Sequence, residues 1–194
     1  MNCLEKEIEY KALITEENYK NLIVVLEQYF SGEKYIHINY YYDTLDLYLH
    51  RKHETLRIRS KKDELKLEYK FNKKEVGFAR ISEEKSLPIV GIPDKLNDDI
   101  IELLGLPKRD YIKLGNLITE RIDYHSPCGI ITLDKNKYFD FIDYEIEIEI
   151  EEVPSNNNTI MCPLINFDQF KQPIHGKYSR FINQYLNNSI SSNS

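Results

Sequence analysis

From Cys3 to Ile14 the chain alternates: Leu4, Lys6, Ile8 and Tyr10 fall on one side, and Glu5, Glu7, Glu9 and Lys11 on the other. A period of two predicts a strand. Thr15 can cap a helix, Glu16 and Glu17 suit its first turn, and Tyr19, Leu22, Ile23, Leu26 and Phe30 recur at helical spacing. A helix over about 16–30, ended by Gly32, is predicted. Further strands are read at Tyr35–Asp43, Glu54–Lys61, Glu64–Phe71, Phe78–Leu87, Leu117–Tyr124, Gly129–Leu133 and Asp143–Val153, with Lys62-Asp63 as a tight turn. Pro93 opens a helix over about 93–104 that places Leu96, Ile100, Leu103 and Leu104 on one face before Gly105. Ser155–Asn158 reads as a polar loop, and Tyr178, Phe181, Ile182, Tyr185 and Leu186 as a C-terminal helix. Without a repeat or a linker, these elements predict one α+β domain over 1–187, followed by a disordered polar tail over 188–194.

The polar faces of the strands carry charges of particular kinds. Glu7, Glu9 and Lys11 share a face, as do Arg57 and Arg59, Lys66, Glu68 and Lys70, and Glu145, Glu147 and Glu149. Side chains two apart on a strand stand about 6.5–7 Å apart, so a row of carboxylates repels itself, more so away from water. A hard divalent ion removes that penalty, and oxygen-only clusters suit Mg2+ or Mn2+. Paired arginines suit a multiply charged anion, because guanidinium forks match phosphate oxygens. One E-x-E or R-x-R by itself is what any solvated sheet shows. The four rows together predict a closed antiparallel barrel with a charged interior, an apolar exterior covered by helices, and acidic and basic walls facing each other across an anion and its metals.

Composition narrows the classes. The chain has 194 residues with 26 Lys+Arg and 32 Asp+Glu, a net charge of −6 that speaks against a general nucleic-acid binder. Charge is segregated: Arg51 to Arg80 holds 11 basic and 5 acidic residues, and Asp140 to Glu152 holds 7 acidic residues and none basic. Apolar runs are too short to span a bilayer, and the first residues lack the apolar core of a secretory signal. Cys3, Cys128 and Cys162 are scattered, which fits free thiols in a reducing, cytoplasmic setting rather than a disulfide frame or a zinc site. Neither a dinucleotide fingerprint nor a P-loop is present, and the five histidines show no H-x-x-x-H spacing. His50 and His53 are expected near a solvated turn, and Tyr40-Tyr41-Tyr42 on the barrel exterior.

In this order the motifs resemble those of the CYTH family, the triphosphate tunnel metalloenzymes, named after class IV adenylate cyclases and thiamine triphosphatases. Glu7-Ile8-Glu9-Tyr10-Lys11 is similar to the family's E-x-E-x-K strand, Tyr42-Asp43-Thr44 to its Y-F-D-T element, and Leu56-Arg57-Ile58-Arg59 to its L-R-x-R strand. Lys70, Thr119-Glu120-Arg121, Leu133-Asp134, Tyr144 to Glu149 and Gly176-Lys177-Tyr178 continue the resemblance over about residues 5–186. Phe71-Asn72 replaces an acidic residue and proline found in many members, and the Arg80 to Glu84 stretch departs from their R-x-E, which leaves the roles of Arg80 and Glu84 open; the role of Asp134 is open as well. The match in length is to bacterial, Firmicutes-type members.

The resemblance implies an eight-stranded β-tunnel. It implies that Glu7, Glu9, Glu145, Glu147 and Glu149 hold Mg2+ or Mn2+, that Arg57, Arg59, Lys70, Arg121 and Lys177 clasp a phosphate chain, and that Lys11, with Glu9 and Glu147, activates water. The expected activity is metal-dependent hydrolysis of a linear triphosphate, inorganic triphosphate first. Adenylate cyclase, thiamine triphosphatase and a non-catalytic polyphosphate- or nucleotide-binding module are the alternatives. The expected partner is a triphosphate-containing small molecule, with neither nucleic acid nor membrane, in a monomer or homodimer.

Overall fold

A computed structural model describes residues 3–76, 79–127, 129–151, 165 and 175–191. Eight strands, β1 (Cys3–Ile14), β2 (Gly32–Asp43), β3 (Thr55–Lys61), β4 (Glu64–Val76), β5 (Ala79–Pro88), β6 (Ile112–Ser126), β7 (Gly129–Tyr138) and β8 (Phe141–Ile150), close into a barrel. The order around it is β1-β5-β4-β3-β2-β6-β7-β8, and every neighbouring pair is antiparallel. Closure leaves no strand edge exposed to pair with another chain. Among the described residues, four helices accompany the barrel: α1 (Glu16–Leu26), α2 (Tyr48–Arg51), α3 (Asp98–Leu104) and α4 (Lys177–Ser191). No helix among the described residues is long and apolar enough to cross a membrane.

The core lies outside the cylinder, as the strand faces predict. Leu56, Ile58, Leu67 and Tyr42 pack under Leu96, Ile101, Leu104 and Tyr111 on one flank. Ala12, Ile122, Tyr124, Leu133, Ile146 and Ile148 pack under Tyr19 and Leu26 of α1 on another. A third cluster closes one end: Tyr41, Leu117 and Tyr138 meet Tyr178, Phe181 and Ile182 of α4. Gly115 allows that closure, because a Cβ there would come within 3.0 Å of the Phe181 ring and its φ of +153° already disfavours a side chain.

Several boundaries differ from the sequence reading. Thr15 does cap α1, accepting from Asn18 N at 3.1 Å, but the helix stops at Leu26 because Gln28 and Tyr29 turn back to the carbonyls three residues earlier. Gly32 opens β2 instead of ending α1, at a place where a Cβ would lie 2.8 Å from Ile122. Pro93 opens no helix. The second predicted helix begins at Asp98 behind an Asn97 cap, and the Pro93 carbonyl accepts from Tyr42 Oη at 2.6 Å. The Lys62-Asp63 turn works without glycine because Lys62 takes a positive φ of 54°.

Helix α2 was not predicted. It is organised by Asp43, whose carboxylate accepts from the N–H groups of Thr44, Leu49 and His50 at 2.7, 2.9 and 2.9 Å and from Tyr178 Oη at 2.7 Å. His50 therefore sits in a short helix with its ring edge-on to Tyr178, 5.9 Å between centroids, rather than in a solvated turn. At the C-terminus, α4 runs through Asn187 and Asn188 to Ser191, into the stretch read as tail. The predicted 155–158 loop, Cys128 and Cys162 lie outside the described residues.

Candidate active site

The inward positions of the strands are the charged rows. Glu7, Glu9 and Lys11 come from β1, Arg57 and Arg59 from β3, Glu68 and Lys70 from β4, Arg121 from β6, Asp134 from β7, and Asp143, Glu145, Glu147 and Glu149 from β8. Period two places each set on one face, and closing the sheet turns those faces toward one another. Lys177 and Arg180 enter from α4, both 9% exposed. The tunnel therefore brings together every residue singled out for substrate, metal or catalysis.

Acid and base do not stand on separate walls, however. They are interleaved in contact. Lys11 Nζ lies 2.6 Å from Glu9 and 3.2 Å from Glu147. Arg121 forks onto Asp134 at 2.7 and 2.6 Å and reaches Glu147 at 2.9 Å. Lys177 Nζ is 2.7 Å from Glu147, 2.8 Å from Asp134 and 3.2 Å from Glu145. Arg57 pairs with Glu68 at 2.7 Å, Arg59 stands 3.6 Å from the same carboxylate, and Lys70 pairs with Glu7 and approaches Glu84 at 3.6 Å.

These pairings set the proton affinities. Burial alone would raise the Glu7 carboxyl, but Lys70 outweighs it and brings the group from 4.5 down to about 2. Glu68 is likewise brought to about 2, by Arg57 and Arg59 against burial. Burial would discharge Lys11, yet Glu9, Glu147 and Glu145 hold its ammonium above the ordinary lysine value. Glu149 behaves in the opposite way: although its side chain is exposed at the end of β8, partial desolvation and the negative charges of Glu7 and Glu9 hold its carboxyl up.

The depressed carboxyls make a prediction. A group whose folded pKa lies below its unfolded value stabilises the fold above the unfolded value and loses that contribution as pH falls through the folded one. Urea denaturation in EDTA should therefore give a stability that declines between about pH 4.5 and 2, with Glu68→Gln removing on the order of 3 kcal/mol of that dependence.

The donor chemistry fits a hard divalent ion. Glu9 is directly opposite Glu149 across the β1–β8 ladder, and Glu147 is one inward step further along β8, opposite Lys11. Like charges directly opposed are destabilising unless a cation intervenes. Among the described residues no group of three such side chains already converges as ligands, since Lys11 and Lys70 draw Glu9, Glu147 and Glu7 to themselves. Glu145 is placed differently. It is fully buried at the α4 end, held by Arg180 and Lys177.

The CYTH domain model matches residues 5–155. The chain belongs to the CYTH domain family. It is 32% identical over 152 residues to YjbK of Bacillus subtilis (strain 168), a protein named as a proposed triphosphatase, with 75% of this chain and 77% of that one covered. A crystal structure from Bacillus halodurans, described as a proposed adenylate cyclase, superposes with a TM-score of 0.69 at 25% identity over 92% of this chain and 98% of its own. HpAC1 from Hippeastrum shares the fold at a TM-score of 0.61 and 23% identity over 75% of this chain and 80% of its own.

Sequence reasoning left out several tunnel residues. Glu68 was on a recognised face but given no role, although it anchors both Arg57 and Arg59. Asp134 receives Arg121 and Lys177. Arg180 hides in a helix whose apolar periodicity gives no sign that it faces inward, where it binds Asp143 at 2.8 Å and also Glu145. The sequence reading places Tyr41 outside with Tyr40 and Tyr42. Strand alternation turns it inward, fully buried, because only Tyr40 and Tyr42 share the outer face of β2.

Proposed function

We propose that this CYTH protein hydrolyses a linear triphosphate in its tunnel with a divalent metal, Mg2+ or Mn2+, and that inorganic triphosphate is its substrate. Family membership implies use of a divalent metal, and the kinship to YjbK favours a triphosphatase. The observation that carries the reading is the opposition of Glu9 and Glu149 within a tunnel that also holds Arg57, Arg59, Lys70, Arg121 and Lys177. Carboxylates suited to a metal and cations suited to a polyanion line the same tunnel, with Glu149 at its solvent-exposed end.

Glu7, Glu9, Glu147 and Glu149 would hold the metal. When bound, it would neutralise phosphate oxygens and make a coordinated water more acidic. Arg57, Arg59, Arg121, Lys70 and Lys177 would align the phosphate chain and offset the charge that spreads over its oxygens as the terminal P–O bond breaks. Water attacks the terminal phosphorus in line, diphosphate leaves, and the water proton passes to solvent. Lys11, which stands between Glu9 and Glu147, acts as a cationic positioning group for that water. Glu145 serves α4 instead of the metal.

The test supplies Mg2+ or Mn2+ with inorganic triphosphate, ATP or thiamine triphosphate, and measures orthophosphate and cyclic AMP. Phosphate release from inorganic triphosphate is expected. Cyclic AMP from ATP would favour the cyclase reading that the description of the Bacillus halodurans structure raises. Tight binding without turnover would favour a binding module. Arg57→Ala should raise KM for triphosphate at least about tenfold with the fold retained, because Arg59 remains beside Glu68.

A further inference from the structure

Among the described residues, four buried side-chain atoms have neither a hydrogen-bond partner nor an ion pair: His37 Nε2, Asn39 Nδ2, Tyr41 Oη and Tyr124 Oη. Three of them belong to alternate residues of one strand. His37, Asn39 and Tyr41 are the inward row of β2, exposed by only 2%, 0% and 0%. Buried polar atoms are almost always paired, so three unpaired ones in a row on the lining of a binding tunnel need an explanation.

Their surroundings supply it. Asn39 is opposite Arg59 across the β2–β3 ladder and Tyr41 is opposite Arg57. Asn39 Oδ1 already accepts from Arg59 Nε at 3.0 Å, which leaves the amide N–H groups facing away from that bond. Burial, together with the positive charges of Arg59, Arg121 and Arg57, keeps His37 neutral, with one N–H to give at most. The Tyr41 ring rests on Tyr178 and Phe181, 5.0 Å from each, so the row ends where α4 closes the tunnel. An uncharged strip of hydrogen-bonding groups thus borders an arginine cluster at the closed end.

We propose that His37, Asn39 and Tyr41 form a neutral subsite that hydrogen-bonds the oxygens of the terminal phosphate at the closed end of the tunnel. The inference rests on the triphosphate reading above and adds specificity to it. Arginines attract any polyanion, whereas fixed neutral donors reward a tetrahedral phosphate whose oxygens reach them. A carbon substituent placed there would leave the donors unpaired and is disfavoured.

Tyr41→Phe tests this in the full-length protein. It deletes a hydroxyl that has no partner in the free chain, so the thermal midpoint without ligand should stay or rise. Affinity for inorganic triphosphate, measured by calorimetry in EDTA, should fall at least about tenfold. Asn39→Asp keeps the acceptor for Arg59 but turns the free donor into a charged acceptor, and should weaken binding more strongly. Tyr124→Phe makes the same deletion in the outer cluster under α1 and should leave affinity unchanged. If wild-type protein binds inorganic triphosphate and both tunnel variants bind it equally well, the subsite is overturned while the triphosphate reading stands. If wild-type protein neither binds nor hydrolyses it, the triphosphate reading falls and takes the subsite with it.

Discussion

Glu9→Gln is expected to remove metal-dependent triphosphate hydrolysis, by about three orders of magnitude, while the barrel remains folded. The fall corresponds to roughly 4 kcal/mol of transition-state stabilisation, the scale of losing one metal-held charge clamp. Shape is nearly conserved, so packing is not in question. Two electrostatic changes in the free protein oppose each other. Lys11 loses its 2.6 Å partner but keeps Glu147 at 3.2 Å, and Glu149 loses the negative charge directly opposite it. Stability should therefore fall by less than the roughly 3–5 kcal/mol that an uncompensated break of a buried pair costs, read by urea denaturation in EDTA. Phosphate release across a Mn2+ titration gives the activity. Full turnover in this variant would remove Glu9 from the metal site.

Arg180→Met should produce the largest loss of stability. Its guanidinium is the partner of Asp143 and of the fully buried Glu145, at the point where α4 meets the barrel. Methionine matches the length of the stem but leaves two carboxylates without it. Tyr138 and Asn136 still donate to Asp143 at 2.6 and 2.9 Å, whereas Glu145 keeps, among the described residues, Lys177 at 3.2 Å and Lys11 at 4.0 Å. Removing one partner of a buried pair costs about 3–5 kcal/mol, which in a domain of this size lowers the melting temperature by roughly 6–20 °C. The loss should be greatest at neutral pH and smaller in acid, where burial favours the protonated Glu145. A second substitution, Glu145→Gln, should recover part of the stability by removing the stranded charge. Failure of the single variant to destabilise would mean that α4 is held by its apolar face alone.

The sequence went far here because strand periodicity is a local property. Alternation of Glu7, Glu9 and Lys11 with Ile8, Tyr10 and Ala12 needs only β geometry to put them on opposite faces, and the same holds for Arg57/Arg59 and Glu145/Glu147/Glu149. Four charged faces backed by apolar ones already imply that the apolar sides are covered and the charged sides enclosed. Helix ends were less legible. The short turn at Gln28 and Tyr29, and the Asn97 cap displacing Pro93, depend on which hydrogen bonds the surroundings allow. Helix α2 depends on Asp43 collecting three backbone N–H groups and a hydroxyl from residue 178, a partner distant in sequence.

What the residues alone determined, then, is the composition of each face: which side chains are charged, which are apolar, and that both kinds alternate on four of the eight strands. What only the tertiary structure decided is which charges touch. Register brings Glu9 against Glu149 and Lys11 against Glu147, while α4 delivers Lys177 and Arg180 into the lumen and takes Glu145 for its own anchorage. The physical reason is one of range. Backbone alternation is fixed within a few residues, whereas the pairing of buried charges follows barrel closure, which joins β1 to β8 across the whole chain.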